Sequence, residues 1–140
     1  MPRILLLEDD ADVRVLAEHV LIADRHEVDP AATVAAARTL LRDRQYDLLL
    51  ADGVLPDGTG MELAREANRR GIPAIIMTAY AFRLPKNELA PFHVLLKPVR
   101  PAELLQAVER ALRREQPMSI GTYYDMRTRS LQSFASRRAE

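Results

Sequence analysis

The stretch that most constrains the fold is a continuous apolar run, Leu48-Leu49-Leu50-Ala51, which leads directly into Asp52 and a segment rich in glycine and proline. A short apolar run bounded by turn residues is typical of a strand that is buried on both faces, and such strands belong to parallel sheets. Asp52 is therefore predicted at the carboxyl end of a strand, where open α/β sheets bind ligands. On this stretch alone, Asp52 is either a functional carboxylate or the cap of a turn. We expect no regular structure in residues 53–60.

Four other short segments predict the remaining strands, at residues 4–7, 26–31, 73–77 and 94–96. Pro30 lacks an amide proton, so the strand that contains it is expected at a sheet edge. Apolar residues recur at helical spacing in segments 12–21, 34–44 and 101–114, and residues 61–70 are helical by composition. The alternation predicts an α/β fold, a doubly wound parallel sheet of five strands with flanking helices. The predicted buried face of the first helix consists of Val13, Leu16, Ala17, Val20 and Leu21.

Local signals at the helix ends support these assignments. Asp10 is a candidate N-cap for the first helix, Gly71 is placed like a C-cap, and Pro101 suits the first turn of the last predicted helix. Pro85 and Pro91 leave room for only a short or irregular fourth helix, at residues 86–89.

The C-terminal region differs in composition from the rest of the chain. We therefore divide the chain into a domain at residues 1–115 and a C-terminal tail at residues 116–140. The tail is expected to be either a short docked helix or disordered. Tyr124, Leu131, Phe134 and Ala135 can share one helical face, but Arg127 interrupts the pattern.

The composition excludes several classes of protein. The 140 residues suit one domain with its own core, and 20 basic residues balance 20 acidic ones. A net charge of zero offers no electrostatic argument for nucleic acid or an anionic membrane as the main partner. The lack of cysteine excludes disulfides and thiolate metal sites. No apolar stretch approaches the roughly 18 residues of a membrane span. We expect a cytoplasmic protein with no membrane insertion.

Polar side chains follow four of the predicted strands, at the edge where their carboxyl ends meet: Glu8 and Asp9, Asp52, Thr78, and Lys97. Carboxylates that close to one another repel, so they need a cation or a shared proton. Mg²⁺ prefers oxygen ligands and commonly binds one or two carboxylates together with phosphoryl oxygens. A carboxylate beside it can attack phosphorus and form an acyl phosphate. Lys97 and Thr78 could then hold the charged phosphoryl oxygens.

Each of these residues also has a purely structural interpretation. Glu8 and Asp9 could favour the positive end of the first helix, Thr78 could be an ordinary strand residue, and Lys97 could be solvated. The three histidines show no metal-ligand spacing and are interpreted as structural or surface residues: His19, His26 and His93.

Four motifs in this order resemble the receiver domain of two-component response regulators. They are Leu7-Glu8-Asp9-Asp10, Leu50-Ala51-Asp52-Gly53-Val54-Leu55-Pro56, Met77-Thr78-Ala79 and Leu96-Lys97-Pro98. Each motif alone is weak, but the set is specific, and the resemblance extends from residue 3 to about residue 114. It implies the flavodoxin-like strand order 2-1-3-4-5.

The resemblance also implies a role for each site residue. Asp52 would be the phosphoacceptor, supplied by a histidine kinase, a histidine phosphotransfer protein or a small-molecule phosphodonor. Asp9 and Asp52 would bind Mg²⁺ directly, Glu8 would do so through water, and the carbonyl of Val54 would complete the protein's ligands.

At the phosphoryl group itself, the resemblance implies three contacts. Thr78 and the amide of Ala79 would hold the group, and Lys97 would pair with it. The Lys97-Pro98 bond is expected to be cis.

The chain departs from the family pattern between Thr78 and Lys97. Val94 occupies the position, three before the lysine, where many receivers carry an aromatic switch residue, although Phe92 or Tyr80 could replace it. The shortened fourth-helix region leads us to expect signalling through another surface: the first helix, the fifth helix or the tail. Val54 and Tyr80 flank the expected path of the attacking water and are predicted to slow hydrolysis.

The leading hypothesis is a stand-alone receiver that is phosphorylated on Asp52 and signals by protein contacts, since nothing long enough to bind DNA or to catalyse a reaction follows residue 115. It would be no enzyme beyond its own phosphoryl transfer and dephosphorylation. Its downstream protein is unknown, no direct nucleic-acid binding is expected, and a homodimer is left open. The alternative is a receiver-like interaction module that signals without phosphorylation. A flavodoxin-like cofactor enzyme lacks support, because no glycine-rich phosphate loop follows the first strand.

Overall fold

A computed structural model describes residues 1–79 and 86–139, except for the side chains of residues 86 and 130–139. Five parallel strands form the main sheet: β1 (Arg3–Leu7), β2 (Glu27–Ala31), β3 (Leu48–Asp52), β6 (Ala74–Thr78) and β7 (His93–Leu96). Their order is β2-β1-β3-β6-β7. Counted among these five strands alone, this is the order 2-1-3-4-5, so the predicted sheet is confirmed. The strand that contains Pro30 lies at an edge, as expected.

Helices cover both faces of the sheet. They are α1 (Ala11–Ala23), α2 (Val34–Asp43), α3 (Gly60–Arg69), α4 (Lys86–Leu89), α5 (Pro101–Leu112) and α6 (Ile120–Ala139). Buried residues of α2 and α3 pack on one face, and those of α1 and α5 pack on the other. Within the described residues, the fourth helix has four residues, which confirms the short helix predicted there.

The strands are buried because their alternate side chains enter two different layers. In β1, Leu5 and Leu7 pack toward α2 and α3, whereas Ile4 and Leu6 pack toward α1 and α5. Strand β3 is buried along its whole length. Fully burying one leucine contributes about 1.5–3 kcal/mol, so these short strands carry much of the core.

The first helix begins directly after the acidic motif. Asp10 Oδ1 accepts hydrogen bonds from the backbone N–H groups of Asp12 (2.9 Å) and Val13 (3.0 Å), so Asp10 is the N-cap of α1, as predicted. This contact holds α1 beside the carboxyl end of β1.

The predicted buried face of α1 is only partly correct. Ala17 and Leu21 are buried and Val20 packs against them, but Val13 and Leu16 are 37% and 59% exposed. With 3.6 residues per turn, Leu16 points about 100° away from Ala17 and so away from the sheet. The helix therefore buries a narrower stripe than its apolar residues suggest.

The expectation that residues 53–60 lack regular structure was wrong. Val54–Leu55 (β4) and Gly58–Thr59 (β5) form a small antiparallel hairpin, and α3 begins at Gly60. The turn residue Asp57 accepts hydrogen bonds from the backbone N–H groups of Val34 (2.8 Å) and Ala35 (3.0 Å) at the start of α2. Its carboxylate thereby holds the hairpin against α2.

Helix α6 follows the segment 113–119. Ile120, Tyr123 and Tyr124 are partly buried and pack against the core, so the first turns of this helix are docked on the sheet. Within the described parts of the chain, no helix combines the length and the apolar character of a membrane span.

Candidate functional site

Four parallel strands bring their carboxyl ends to one edge of the sheet. Strand β1 is followed by Glu8 and Asp9, β3 ends at Asp52, β6 ends at Thr78, and β7 is followed by Lys97. The register pairs Asp52 with Met77 and Thr78 with Leu96, which places the ends of the three strands at one level. The backbone N–H of Lys97 also donates to the carbonyl of Thr78 at 3.0 Å.

The three carboxylates form a compact group. Glu8, Asp9 and Asp52 each offer a carboxylate oxygen, and these atoms all lie within 4.8 Å of one another. Glu8 is completely buried and Asp52 is 7% exposed, whereas Asp9 is exposed. The group is therefore open to solvent on the side of Asp9 and closed on the side of Glu8.

Lys97 lies between the two buried carboxylates. Its Nζ is 2.7 Å from Oε1 and 3.0 Å from Oε2 of Glu8, and 2.9 Å from Oδ2 of Asp52. The Lys97-Pro98 peptide bond is cis, as the resemblance implied. The Lys97 ammonium group thus forms ion pairs with two buried carboxylates.

The pKa values of both Glu8 and Lys97 are raised. Burial raises the pKa of Glu8 to about 7, Lys97 opposes that shift, and the nearby Asp52 adds to it. Burial alone would lower the pKa of Lys97, but its hydrogen bonds to Glu8 and Asp52 outweigh burial and raise the pKa. Both groups gain a proton more readily than usual, as expected when one cation is shared by two carboxylates. The two buried carboxylates therefore carry more negative charge than the Lys97 ammonium alone can balance.

This donor set fits Mg²⁺. The ion prefers hard oxygen ligands, and carboxylate oxygens gathered within 4.8 Å supply them. Among the residues that the structure describes, this cluster contains no histidine.

The loop after Asp52 packs closely because two of its residues are glycine. A Cβ atom on Gly60 would lie 1.9 Å from the carbonyl oxygen of Asp52. A Cβ atom on Gly53 would lie 3.2 Å from both Cβ and Oγ1 of Thr78, which is itself buried. Sequence reasoning treated these glycines as turn residues and missed their packing role.

Of the remaining predicted site residues, Val54 contacts the cluster through its backbone. The backbone N–H of Val54 donates to Asp52 Oδ1 at 3.3 Å, and the Val54 side chain is 53% exposed. Ala79 is exposed and follows β6 directly. Tyr80 lies outside the described residues.

Arg14 is a neighbour of the site that the sequence pattern did not reveal. Its Nη1 donates to the carbonyl oxygens of Glu8 (2.9 Å) and Asp9 (3.3 Å). Because Arg14 lies in the first turn of α1, it ties the start of the helix to the acidic motif. A single arginine between apolar positions gives no pattern from which this contact could be predicted.

The expected switch positions are occupied by buried residues. Val94 is 8% exposed and Phe92 is 1% exposed, and both pack in the layer of α2 and α3. Among the residues that the structure describes, an aromatic side chain from α6 contacts the backbone next to Lys97. The Tyr123 hydroxyl accepts a hydrogen bond from the N–H of Leu96 at 2.9 Å.

A family model, the response regulator receiver domain, matches residues 4–109. The chain belongs to this family. The resemblance inferred from the four motifs is thereby confirmed, and receiver domains are signalling domains of two-component systems.

Curated relatives of this receiver include longer regulators. The phosphate regulon transcriptional regulatory protein PhoB of Klebsiella pneumoniae is 32% identical over 136 residues, which cover 92% of this chain and 59% of that protein. The response regulator protein PilR of Pseudomonas aeruginosa is 33% identical over 118 residues, 81% of this chain and 26% of that protein. The receiver chain thus spans about three fifths of PhoB and a quarter of PilR.

Solved receiver structures share the fold. A CheY-like receiver domain from Methanospirillum hungatei is 31% identical, with a TM-score of 0.72, and the match covers 81% of this chain and 95% of that one. The response regulator protein TrrA from Thermotoga maritima, solved in complex with Mg²⁺-BeF, is 25% identical, with a TM-score of 0.73. That match covers 79% of this chain and 99% of TrrA.

Proposed function

We propose that this receiver accepts a phosphoryl group on Asp52 in a Mg²⁺-dependent reaction and signals through phosphorylation-dependent protein contacts. The phosphoryl group would come from a histidine kinase or a histidine phosphotransfer protein in the cytoplasm. The observation that carries the proposal is the position of Lys97 Nζ, 2.9 Å from Asp52 Oδ2 within a group of three carboxylates. The proposed nucleophile, the proposed metal-binding carboxylates and the cation proposed to pair with the phosphoryl oxygens are thus adjacent.

The proposed transfer is a displacement at phosphorus. A carboxylate oxygen of Asp52 forms the new P–O bond while the P–N bond to the donor histidine breaks, and the imidazole leaves with the electron pair. Asp9, Asp52 and the Val54 carbonyl would bind Mg²⁺ directly, and Glu8 would bind it through a water molecule. The ion would supply positive charge at the phosphoryl oxygens.

The chain's own donors would hold the product. The Lys97 ammonium is close enough to Asp52 to exchange its contact with Glu8 for one with a phosphoryl oxygen. The Thr78 hydroxyl and the Ala79 N–H would donate to the other oxygens. Such charge-assisted hydrogen bonds are the strong ones, so they favour the phosphorylated form.

The test is mass spectrometry of the intact chain after incubation with acetyl phosphate and Mg²⁺. We expect a phosphoryl adduct that is lost in Asp52→Asn and retained in Asp43→Asn, a matched change of an exposed carboxylate. If no Mg²⁺ concentration yields an adduct, the alternative is favoured: a receiver-like module that signals without phosphorylation.

Helix α1 is the proposed contact for the phosphodonor protein. It starts beside the acidic motif, and Val15, Leu16 and Ile22 are 49%, 59% and 52% exposed. Exposed apolar side chains of this size are suited to a protein interface. We expect Leu16→Gln to slow phosphorylation by a protein donor but not by acetyl phosphate. Equal slowing with both donors would place Leu16 outside the interface.

The downstream partner is proposed to be a protein. PhoB is named as a transcriptional regulatory protein, which favours a partner in transcription control as a second candidate. Capture experiments with the phosphorylated chain and with Asp52→Asn would test this: a transcription component bound only to the phosphorylated chain would support it.

A further inference from the structure

Helix α6 is attached to the strand that delivers Lys97. The N–H of Leu96 donates to the Tyr123 hydroxyl at 2.9 Å. Arg127 donates through Nη1 to the carbonyl of Leu96 and through Nη2 to the carbonyl of Pro98, the latter at 2.8 Å. The two carbonyls belong to the residues on either side of Lys97. Arg127 therefore contacts the backbone on both sides of the residue that pairs with Asp52.

The same side chains connect α6 to α5. The Tyr123 hydroxyl donates to a carboxylate oxygen of Glu103, and Arg127 Nη1 lies 3.7 Å from the same oxygen. Arg127 and Glu103 retain only 21% and 25% of their side-chain exposure, so water screens this pair only in part. Tyr123, Arg127 and Glu103 form a polar network that joins α6, β7 and α5.

Apolar packing around this part of α6 is incomplete. A cavity of about 380 Å³ lies between β7, α5 and α6, and its lining includes Leu95, Ala107, Met118 and Met126. Beside this cavity, α6 is held by the polar contacts of Tyr123 and Arg127. A displacement of the backbone at residues 96–98 would remove several of those contacts together.

The other side of the Lys97 segment is held by the candidate site. Its Nζ contacts Glu8 and Asp52, and its backbone N–H donates to Thr78. A phosphoryl group on Asp52 adds negative charge, so the ammonium would leave Glu8 for a phosphoryl oxygen. The contacts of α6 hold the backbone on both sides of Lys97 in the position from which its side chain reaches Glu8.

We propose that α6 docking and phosphorylation of Asp52 oppose each other through the segment Leu96–Pro98. Phosphorylation loosens the N-terminal half of α6 and uncovers the surface of β7 and α5 beneath it; docked α6 favours the unphosphorylated arrangement of Lys97. This inference rests on the proposed phosphoacceptor function. Because coupling between two equilibria is reciprocal, docked α6 must weaken phosphoryl binding by the same factor by which phosphorylation weakens docking. Weakening α6 therefore favours the phosphorylated arrangement.

The first test is amide hydrogen exchange of the full chain with and without beryllofluoride and Mg²⁺. We expect the amides of residues 120–129 and the Leu96 amide to exchange about fivefold faster or more with the phosphoryl mimic, the lower end of typical couplings. Unchanged or slower exchange in a chain that has bound beryllofluoride overturns the inference.

The second test measures the affinity for beryllofluoride in the presence of Mg²⁺. Arg127→Met removes the contacts to both carbonyls, and we expect tighter binding by about fivefold or more. Arg129→Met makes the same charge change at an exposed position of the same helix and is expected to leave the affinity unchanged. Tyr123→Phe, which removes one hydroxyl, provides a second variant with an expected smaller gain.

The outcomes separate the two proposals. If the wild-type chain forms no adduct with acetyl phosphate and binds no beryllofluoride, the proposed function fails and this inference fails with it. If the adduct forms but Arg127→Met and Arg129→Met have equal affinities, only this inference fails.

Discussion

The ammonium nitrogen of Lys97 lies 2.7 Å from Oε1 of Glu8, a side chain with no exposed surface. The same nitrogen contacts Asp52, so the two buried carboxylates share one ammonium group. Burial raises the pKa of Glu8 from 4.5 to about 7 in the folded chain.

This raised pKa predicts a pH-dependent stability of the metal-free protein. Glu8 binds its proton more tightly in the folded state, so its contribution is fully present below pH 4.5 and is lost as the pH rises through about 7. We expect urea unfolding in the presence of a chelator to show falling stability over that window. Glu8→Gln should flatten the dependence, whereas Glu88→Gln, at an exposed position, should not. A wild-type curve that rises over the same window would contradict the prediction.

Removing the Lys97 charge should strengthen Mg²⁺ binding. Lys97 competes with the ion for Asp52, because its Nζ lies 2.9 Å from Oδ2. We expect Lys97→Met to bind Mg²⁺ about tenfold more tightly, equivalent to about 1.4 kcal/mol. NMR titration with Mg²⁺ would measure this, and Lys97→Arg, which keeps the charge, is the control. Weaker binding in Lys97→Met would mean that Lys97 mainly holds the carboxylates in position.

Gly60 should tolerate no side chain. A Cβ atom there would lie 1.9 Å from the Asp52 carbonyl oxygen, so Gly60→Ala must displace the backbone that carries Asp52. We expect a loss of about 1–3 kcal/mol in the free energy of unfolding, as for other overpacked sites. Slower phosphorylation should accompany this loss.

Gly121 provides the matched comparison. In the described part of the chain, no atom other than those of the neighbouring residues and the helix's own backbone lies within 4 Å of a Cβ built on this glycine of α6. Gly121→Ala should therefore stabilise the chain, by up to about 0.5–1 kcal/mol, because alanine is the better helix former. Denaturant unfolding of both variants measures the contrast, and effects of the same sign would refute the packing argument.

Asp57 should stabilise the hairpin near Asp52 through α2. Its hydrogen bonds from the backbone N–H groups of Val34 and Ala35 lower the pKa of its carboxyl group. A lowered pKa means that the contribution is present above the ordinary value of 3.8 and is lost as the pH falls below it. We expect Asp57→Ala to lower the melting temperature at neutral pH and to approach the wild type in acid. A deficit that is the same at both pH values would argue against a charge-dependent cap.

The sequence predicted the fold well where the structure of an element depends on residues close together in the chain. The apolar run of β3 is buried throughout, and Asp10 caps α1, because both features depend on side chains close together in the chain. The parallel sheet then places Glu8, Asp52 and Lys97 at one edge. Their shared position could be predicted without knowing any distance.

Features that depend on distant partners could not be predicted in this way. Arg127 was interpreted as an interruption of an apolar helix face, but its guanidinium contacts the carbonyls of Leu96 and Pro98. The direct contact of Lys97 with Glu8 also depends on how far β1 and β7 extend along the strand direction relative to each other. In α1, the width of the buried stripe is set by the neighbouring elements and not by its own apolar residues.

The contacts between α6 and β7 also determine where the sheet ends. An edge strand with free amide and carbonyl groups is a template for a strand of another molecule, and such pairing leads to aggregation. At one edge, β2 carries Pro30, which has no amide proton to donate. At the other edge, Tyr123 and Arg127 occupy the amide and the carbonyl of Leu96. At Leu96, a side-chain hydroxyl and a guanidinium thus take the positions that the backbone of a sixth strand would occupy.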